Sequence, residues 1–437
     1  MKRQAWIIYL LLVSGLAGRA QNKTLSLQEA VQLGVKNSKQ LKLAQSKIDQ
    51  SISQLAQAKD AALPTAKVSG GYSHALLFTR KIGIPGDTAR FTLPFDNPLY
   101  QATLSFNEPI FAGNQFKYAQ KSADLLIKAS KLDADKDKDD VVAVIINAYL
   151  NYYKIKQNQL VVKQNLDDIQ GKLDEITKYE SQGLATRNDV LRYQLQKSNT
   201  ELTILELENN REIANYNMNI LLGLSDSLVL DVEEVSYKLS VDSSYDQYLQ
   251  IAMKDRKEFS SLNYHSQIAD INIKKIHDQQ YPTVGVGGAF YYFNLTKELI
   301  PSSGAFLAPL VIGVNASWDI GTLYKTKNKI SEARIERQQV DINREATVDN
   351  VKSDVHNNYL QFHLALERIK VLQDDIGQAT ENERVMESKF HNNLATTTDR
   401  IDAQTLLYQS RVNLELAKSD ATIAYYNLLN SIGHIQP

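Results

Sequence analysis

The stretch VDNVKSDVHNNYLQFHLALERIKVLQDDIGQA, residues 348–379, decides the fold of this chain. Apolar side chains recur along it in alternating steps of three and four residues, interrupted by a single asparagine. The series is Val348, Val351, Val355, Asn358, Phe362, Ala365, Ile369, Leu372, Ile376 and Ala379. A seven-residue apolar repeat is typical of helices that pack along one another as coiled coils. A shorter series takes the same steps from Val162 to Ile176. The sequence therefore predicts long helices packed side by side.

The positions of the nine prolines limit where such helices can extend. A proline inside a helix costs about 3 kcal/mol, and the chain is free of proline over 110–281 and 310–436. A helix over about 112–182 would be ~100 Å long at 1.5 Å per residue. Because no globular domain buries a rod of that length, such a helix must pack against other long helices.

Two proline-containing windows show a different pattern, with a period of two residues. Apolar side chains alternate with small or polar ones over 100–107 and again over 310–319, which predicts strands. Residues 65–77 and 283–295, rich in Gly, Val and Tyr, are weaker strand candidates. The predicted connecting loops cover about 78–98 and 296–308. Strands of about 9–11 residues are long enough to cross a bilayer.

The same order of elements occurs twice along the chain. A shift of 218 positions places Pro64 on Pro282, and a shift of 210 places Leu-Ala-Thr at 184–186 on the same three residues at 394–396. Chance matching in helical sequence could mimic one such segment, but it explains their common order poorly. The chain is therefore predicted to contain an internal repeat.

The N-terminus has the features of a signal peptide. Two basic residues precede an apolar core over 5–13, and Gly18 and Ala20 supply small side chains at the −3 and −1 positions of a cleavage site. We expect residues 1–20 to be removed and the remainder to be exported. The alternative is a buried N-terminal helix.

These signals divide the rest of the chain into two repeats and a linker. The first repeat is expected over 21–223, the linker over 224–247 and the second repeat over 248–437. Each repeat would contain a strand–loop–strand segment and a helical hairpin with a tip. Those segments are expected at 65–109 and 283–320, and the tips near 183–189 and 392–399.

Composition excludes several classes of protein. The chain has 437 residues, of which 43% are hydrophobic and 23% charged, so it can build a large core and is not globally disordered. Its net charge of −1 lacks the basic excess of nucleic-acid binders. It has no cysteine, which excludes disulfides, cysteine–zinc sites and thiol nucleophiles. Beyond the N-terminus no apolar run is long enough for a membrane-spanning helix.

No motif in the sequence predicts catalysis, a cofactor or a metal. The acidic run from Asp133 to Asp140 invites a calcium interpretation, but an EF-hand loop needs Gly at its sixth position and Glu at its twelfth. Those positions hold Lys138 and Val144, so the run is expected to be a solvated helix face. The histidines form no HExxH pattern, and no Ser–His–Asp arrangement can be assigned. We therefore expect the protein not to be an enzyme.

In their order and duplication these motifs resemble the TolC family of bacterial outer-membrane efflux and secretion channels. Besides the two prolines named above, the resemblance is carried by the strand-to-helix segments EPIFAG at 108–113 and WDIG at 318–321. The tips, GLATRNDVL at 183–191 and LATTTDRIDA at 394–403, are its most specific part. It covers essentially the whole mature chain.

The resemblance implies a mainly α fold with a membrane β-barrel contribution. Four strands from each of three protomers would close a twelve-strand barrel, and the long helices would form a coiled-coil α-helical barrel in the periplasm. Apolar strand faces would meet outer-membrane lipid and polar faces would line water. Candidates for interfacial aromatic girdles are Tyr72, Tyr100, Tyr291, Tyr292 and Trp318. The alternative for each is an ordinary aromatic of the sheet.

The implied function is that of a passive exit duct in a tripartite efflux pump or a type I secretion system. Its partners would be a periplasmic adaptor (membrane fusion) protein and an inner-membrane RND or ABC transporter. The rival interpretation is a periplasmic coiled-coil scaffold or adaptor protein. No nucleic acid is expected as a partner.

The resemblance also assigns roles to residues at the two tips. Asp399 and Asp402 would place acidic rings around the periplasmic pore entrance, or else simply stabilise the first turn of a helix. The docking site for the adaptor would comprise Gly183, Leu184, Ala185, Thr186, Leu394, Ala395 and Thr396, and the alternative is a tight helical hairpin. Some relatives lock the closed entrance with an Arg and a Tyr. The corresponding positions here hold Ala395 and Phe390, which puts that lock in doubt.

Overall fold

The computed structural model of the chain is mainly helical and describes residues 23–76, 96–235, 243–294 and 306–436. The predicted signal peptide and most of the two predicted loops lie outside these residues. In the described part of the chain, no helix combines the length and the apolar character needed to cross a membrane.

The helices are α1 (Leu27–Asn37), α2 (Lys39–Asp60), α3 (Gln115–Ser181), α4 (Arg187–Leu222), α5 (Tyr245–Asp255), α6 (Lys257–Asp278), α7 (Thr322–His391) and α8 (Thr397–Ser431). The strands are β1 (Lys23–Leu25), β2 (Thr65–Leu76), β3 (Asp96–Phe111), β4 (Leu230–Val232), β5 (Thr283–Asn294), β6 (Phe306–Leu307) and β7 (Leu310–Ser317). Helices α3 and α7 contain 67 and 70 residues, so the prediction of long helices in the proline-free stretches is confirmed.

The apolar series that predicted coiled-coil packing is buried or half-buried along its length. On α7, Val351, Val355 and Phe362 form a core cluster with residues of α8 such as Ala417 and Leu428. On α3, the shorter series has Val162, Ile169 and Ile176 fully buried. Helical faces that repeat every seven residues thus pack against other helices, as the sequence indicates.

Packing groups the chain into two compact units that differ from the predicted repeats. One unit contains the described residues of 1–46, 132–260 and 344–437, and the other contains those of 47–131 and 261–343. Each unit combines segments from both halves of the chain. The two repeats are therefore a feature of the sequence. That they are also two domains stays a prediction.

The second unit contains an antiparallel sheet in the order β2-β3-β5-β7. The first and third strands begin at Thr65 and Thr283, directly after the two matching prolines. The short strand β6 lies within the predicted loop. It pairs with Phe293 and Asn294 at the end of β5, whereas β7 pairs with β5 from Thr283 to Phe290. Pro309 separates β6 from β7, since proline has no backbone N–H to donate to a ladder. The sheet thus has four strand positions, as predicted.

A small parallel pair, β1 and β4, was not predicted. The Tyr149 hydroxyl donates to the backbone oxygen of Leu25 at 2.8 Å, and the Tyr152 hydroxyl donates to that of Leu230 at 2.6 Å. Strands of three residues carry too little alternation to be recognised in a sequence. As a result β4 falls inside the stretch expected to be a linker.

Candidate functional site

The first helical hairpin reverses direction at Gly183, between α3 and α4. This glycine has a φ of +76°, a left-handed conformation that suits a residue without Cβ. Just beyond it, the Leu184 N–H donates to the Tyr179 oxygen at 2.8 Å, which closes the last turn of α3. Helix α4 then begins with a capping box. The Asp189 carboxylate accepts from the Thr186 N–H at 2.8 Å, and the Thr186 hydroxyl accepts from the Asp189 N–H at 3.3 Å.

The second hairpin repeats this construction 210 residues later. Asn393 replaces Gly183 with a φ of +59°, and asparagine is the side chain that best tolerates this conformation after glycine. The Leu394 N–H donates to the Lys389 oxygen at 2.8 Å. Thr396 and Asp399 form the capping box of α8, with the Thr396 N–H donating to the carboxylate at 2.8 Å. Both tips are therefore fixed by bonds within a few residues.

The predicted docking residues all lie at these two tips. Leu184 and Leu394 expose 72% and 75% of their surface, which is high for large apolar side chains. Ala185 and Ala395 are half-buried, and both capping threonines are exposed. Each hairpin thus ends in a leucine that stays exposed in the described part of the chain.

The two aspartates proposed for the pore entrance have different surroundings. Asp399 is exposed, and its carboxylate accepts bonds from both the backbone N–H and the hydroxyl of Thr396. These bonds lower the pKa of Asp399 below its usual range. Asp402 lies three residues further along α8 and is exposed. Asp399 therefore stabilises the first turn of α8, which is the alternative role considered for it above. That Asp399 and Asp402 form acidic rings at the pore entrance stays a prediction.

A buried arginine that no sequence motif indicates lies beneath the tips. Arg400 exposes 3% of its side chain. It donates to Glu387 of α7 at 2.6 Å and to Glu175 of α3 at 2.6 Å. Its guanidinium also lies 4.7 Å from the centre of the Phe390 ring. The side chain thus joins the hairpin of α7 and α8 to the helix that leads into the first tip.

A lysine extends this ionic network. Lys172 of α3 donates to Glu383 at 2.7 Å and to Glu387 at 3.4 Å. Burial raises the pKa of Glu387, but the hydrogen bond from Arg400 and the charge of Lys172 outweigh burial and hold it below the usual range. Burial likewise disfavours the charged form of Arg400, and its bonds to Glu387 and Glu175 raise its pKa instead.

The internal repeat contains a signal for this arginine. The shift of 210 that aligns the tips places Val190 on Arg400, and Val190 is 1% exposed. A charged residue at a position that is buried and apolar in the other repeat requires partners of opposite charge. In the sequence itself, the signal for Arg400 is the mismatch of a charged residue with an apolar one at matching positions of the repeat.

The sheet of the second unit has two chemically different faces. One face carries Val68, Tyr72, Leu104, Phe106, Phe290, Tyr292, Leu310, Ile312 and Val314. The opposite face is mostly polar but also carries several apolar side chains. Its polar residues are Lys67, Ser69, Gln101, Thr103, Ser105, Asn107, Asn315 and Ser317, and its larger apolar residues include Tyr291, Phe293, Leu307 and Val311. Large side chains of the apolar face are exposed, among them Val68 at 77% and Val314 at 74%. Among the residues that the structure describes, none covers this face.

The register also sorts the aromatic candidates. Tyr72 and Tyr100 are cross-strand neighbours on the apolar face, with ring centres 5.2 Å apart, and Tyr292 lies on the same face. Tyr291 lies on the opposite face. Trp318 follows β7 and donates from its indole N–H to the Gln280 oxygen at 2.9 Å. Among the described residues, no group of three or more His, Cys, Asp or Glu side chains could hold a metal ion.

The chain belongs to the outer membrane efflux protein family, whose sequence model matches residues 30–224 and 249–434. The members of this family are outer-membrane components of efflux pumps. The resemblance to TolC-type channels is thereby confirmed, and the scaffold alternative is not favoured.

Individual relatives are distant in sequence but close in fold. Outer membrane efflux protein BepC of Brucella suis biovar 1 (strain 1330) is 21% identical over 335 residues, which are 76% of this chain and 72% of BepC. The crystal structure of the outer membrane protein VceC of Vibrio cholerae has a TM-score of 0.74 at 16% identity, covering 93% of this chain and 96% of VceC. The CmeC outer membrane channel of Campylobacter jejuni has a TM-score of 0.75 at 14% identity, covering 93% and 85%.

Proposed function

We propose that the protein is a trimeric outer-membrane channel-tunnel and serves as the passive exit duct of a tripartite efflux pump or a type I secretion system. One observation carries this proposal: a four-position sheet with one exposed apolar face and two unpaired edges. In the described part of the sheet, β2 pairs with β3 alone and β7 pairs with β5 alone. Open edges cannot persist in lipid, where every backbone group needs a partner.

Three copies would solve both problems at once. Joining the β7 edge of one protomer to the β2 edge of the next would close twelve strands into a barrel. The apolar face would then contact lipid and the polar face would line water. Family membership and the fold shared with VceC and CmeC support this assembly.

The tips and the acidic residues belong to the same proposal. The exposed leucines and the small residues beside them would dock with a periplasmic adaptor that links the duct to an inner-membrane RND or ABC transporter. Asp399 and Asp402 would surround the entrance. Residues 1–20 would direct export, and energy would come from the transporter, since the duct itself would perform no catalysis.

Fractionation and bilayer recording test the proposal. We expect the protein to partition with outer membranes, to run as a trimer after extraction in mild detergent, and to form ion-conducting channels in planar bilayers. A protein that stays in the soluble periplasmic fraction as a monomer, without conductance, would instead support a scaffold.

A further inference from the structure

The sheet places two charged side chains, Lys67 and Glu108, on opposite faces. Lys67 is the third residue of β2 and is exposed; its cross-strand neighbour is Ser105. Glu108 pairs with Val286, on the apolar face. Among the side chains that the structure describes in this sheet, Lys67 is the one lysine or arginine. Among the described side chains of the sheet, the polar face thus carries one positive charge and no negative charge.

The near neighbours of Lys67 on that face are small or polar, and larger side chains lie further along the same rows. Its row continues through Ser105 and Ala289 to Val311. The row on one side contains Asn107 and Gly287, and the row on the other contains Ser69, Thr103 and Tyr291. A Cβ built on Gly285 would lie 3.1 Å from the amide oxygens of both Asn107 and Asn315. Two asparagine side chains therefore lie across a glycine-lined part of β5. No carboxylate of the described sheet lies on this face to neutralise Lys67.

We propose that Lys67 forms a ring of three positive charges on the water-lined wall of the barrel and makes this part of the duct favour anionic solutes over cations. The inference rests on the proposed trimer, because it takes the polar face to be the inner one. A ring of one sign on a low-dielectric wall raises the local concentration of counter-ions. It differs in residue, element and sign from the acidic residues at the tips.

The effect depends on salt concentration. Exposed charges act over about 30 Å at 0.01 M ionic strength but only about 8 Å at 0.15 M. The decisive measurement is therefore the reversal potential of single channels in a gradient of dilute KCl. Replacing Lys67 by Gln is expected to raise the K⁺/Cl⁻ permeability ratio about twofold. Lys67→Arg, which keeps the charge, is expected to leave the ratio unchanged.

Two further variants complete the experiment. Glu108→Gln removes a charge from the opposite face and is the matched control, with no expected change in the ratio. Ser69→Lys adds a second ring on the face of Lys67 and is expected to lower the ratio, which keeps the inference testable if Lys67→Gln assembles poorly. Conducting trimers whose reversal potential is the same in the parent, Lys67→Gln and Ser69→Lys would overturn the inference alone. A parent protein that forms no conducting trimers would overturn the proposed function, and this inference with it.

Discussion

Arg400 donates a hydrogen bond of 2.6 Å to Glu175, a residue 225 positions earlier in the chain. The bond joins the first turn of α8 to the end of α3 and so connects the two hairpins close to their tips. Glu387 completes the bridge from α7. Because the arginine is buried and its carboxylate partners are about one-quarter exposed, this network is the most strongly desolvated charge cluster near the tips.

Removing the arginine is expected to destabilise the hairpin pair. Arg400→Ala leaves two partly buried carboxylates without their main partner, which costs about 3 kcal/mol of unfolding free energy. Arg384→Ala is the control, because its pair with Glu381 is exposed and screened by solvent, so its removal should lower the free energy of unfolding far less. Denaturant unfolding of the purified protein measures both. Equal losses in the two variants would show that the buried bridge adds nothing.

A rescue experiment separates charge from packing at this position. Arg400→Val copies the residue found at the matching position of the first tip. It is expected to recover most of the lost stability only when Glu175→Gln and Glu387→Gln remove the unpaired charges. Recovery by Arg400→Val alone would mean that the carboxylates are indifferent to the arginine.

The network also predicts acid sensitivity. The pKa of Glu387 is lowered in the folded protein, so its ionised form stabilises the fold above the unfolded-state pKa of about 4.3. That stabilisation is lost as the pH falls below this value and through the lowered folded-state pKa. Melting temperatures between pH 7 and pH 3 should therefore fall less steeply for Glu387→Gln than for the parent. Parallel curves would contradict the prediction.

A charge placed at a tip is expected to impair docking with the adaptor and nothing else. A charge at Ala185, as in Ala185→Asp, places a carboxylate beside the exposed Leu184 and is expected to abolish co-purification with the adaptor. Trimer formation should not change, since the half-buried Ala185 lies at the turn. Ser53→Asp on the exposed surface of α2 adds the same charge elsewhere and serves as the control. Undiminished co-purification of Ala185→Asp would exclude docking at the first tip.

The acidic entrance can be tested against a matched capping residue. The double variant Asp399→Ala and Asp402→Ala is expected to reduce cation selectivity and to change single-channel conductance. Loss of the Asp399 carboxylate also removes half of the capping box and so destabilises the start of α8. Asp189→Ala removes the same type of cap from the first tip and should reproduce the stability loss without the change in selectivity. Unchanged conductance and selectivity in the double variant would reduce both aspartates to helix-start residues.

Much of the fold could be predicted from the sequence because its signals are periodic. The seven-residue series from Val348 to Ala379 and the two-residue alternation in β3 and β7 report directly on buried faces. The parallel pair of β1 and β4 could not be predicted, since a strand of three residues is too short to show an alternation. The ionic network could not be predicted for another reason. Its members, Arg400, Glu175 and Glu387, meet only after two hairpins pack together. Nothing local in the sequence distinguishes them from solvated charges.

The two capping boxes have a consequence for the order of folding. The backbone bonds that close the two turns and the bonds of the two capping boxes join residues at most five positions apart, from Tyr179 to Asp189 and again from Lys389 to Asp399. Contacts of such short range form early, before long-range packing is available. The position of each turn can therefore be fixed while the rest of the chain is still unfolded. The turn then sets the register between two helices that are many turns long. The seven-residue apolar seams can pack progressively away from the tip without searching for that register.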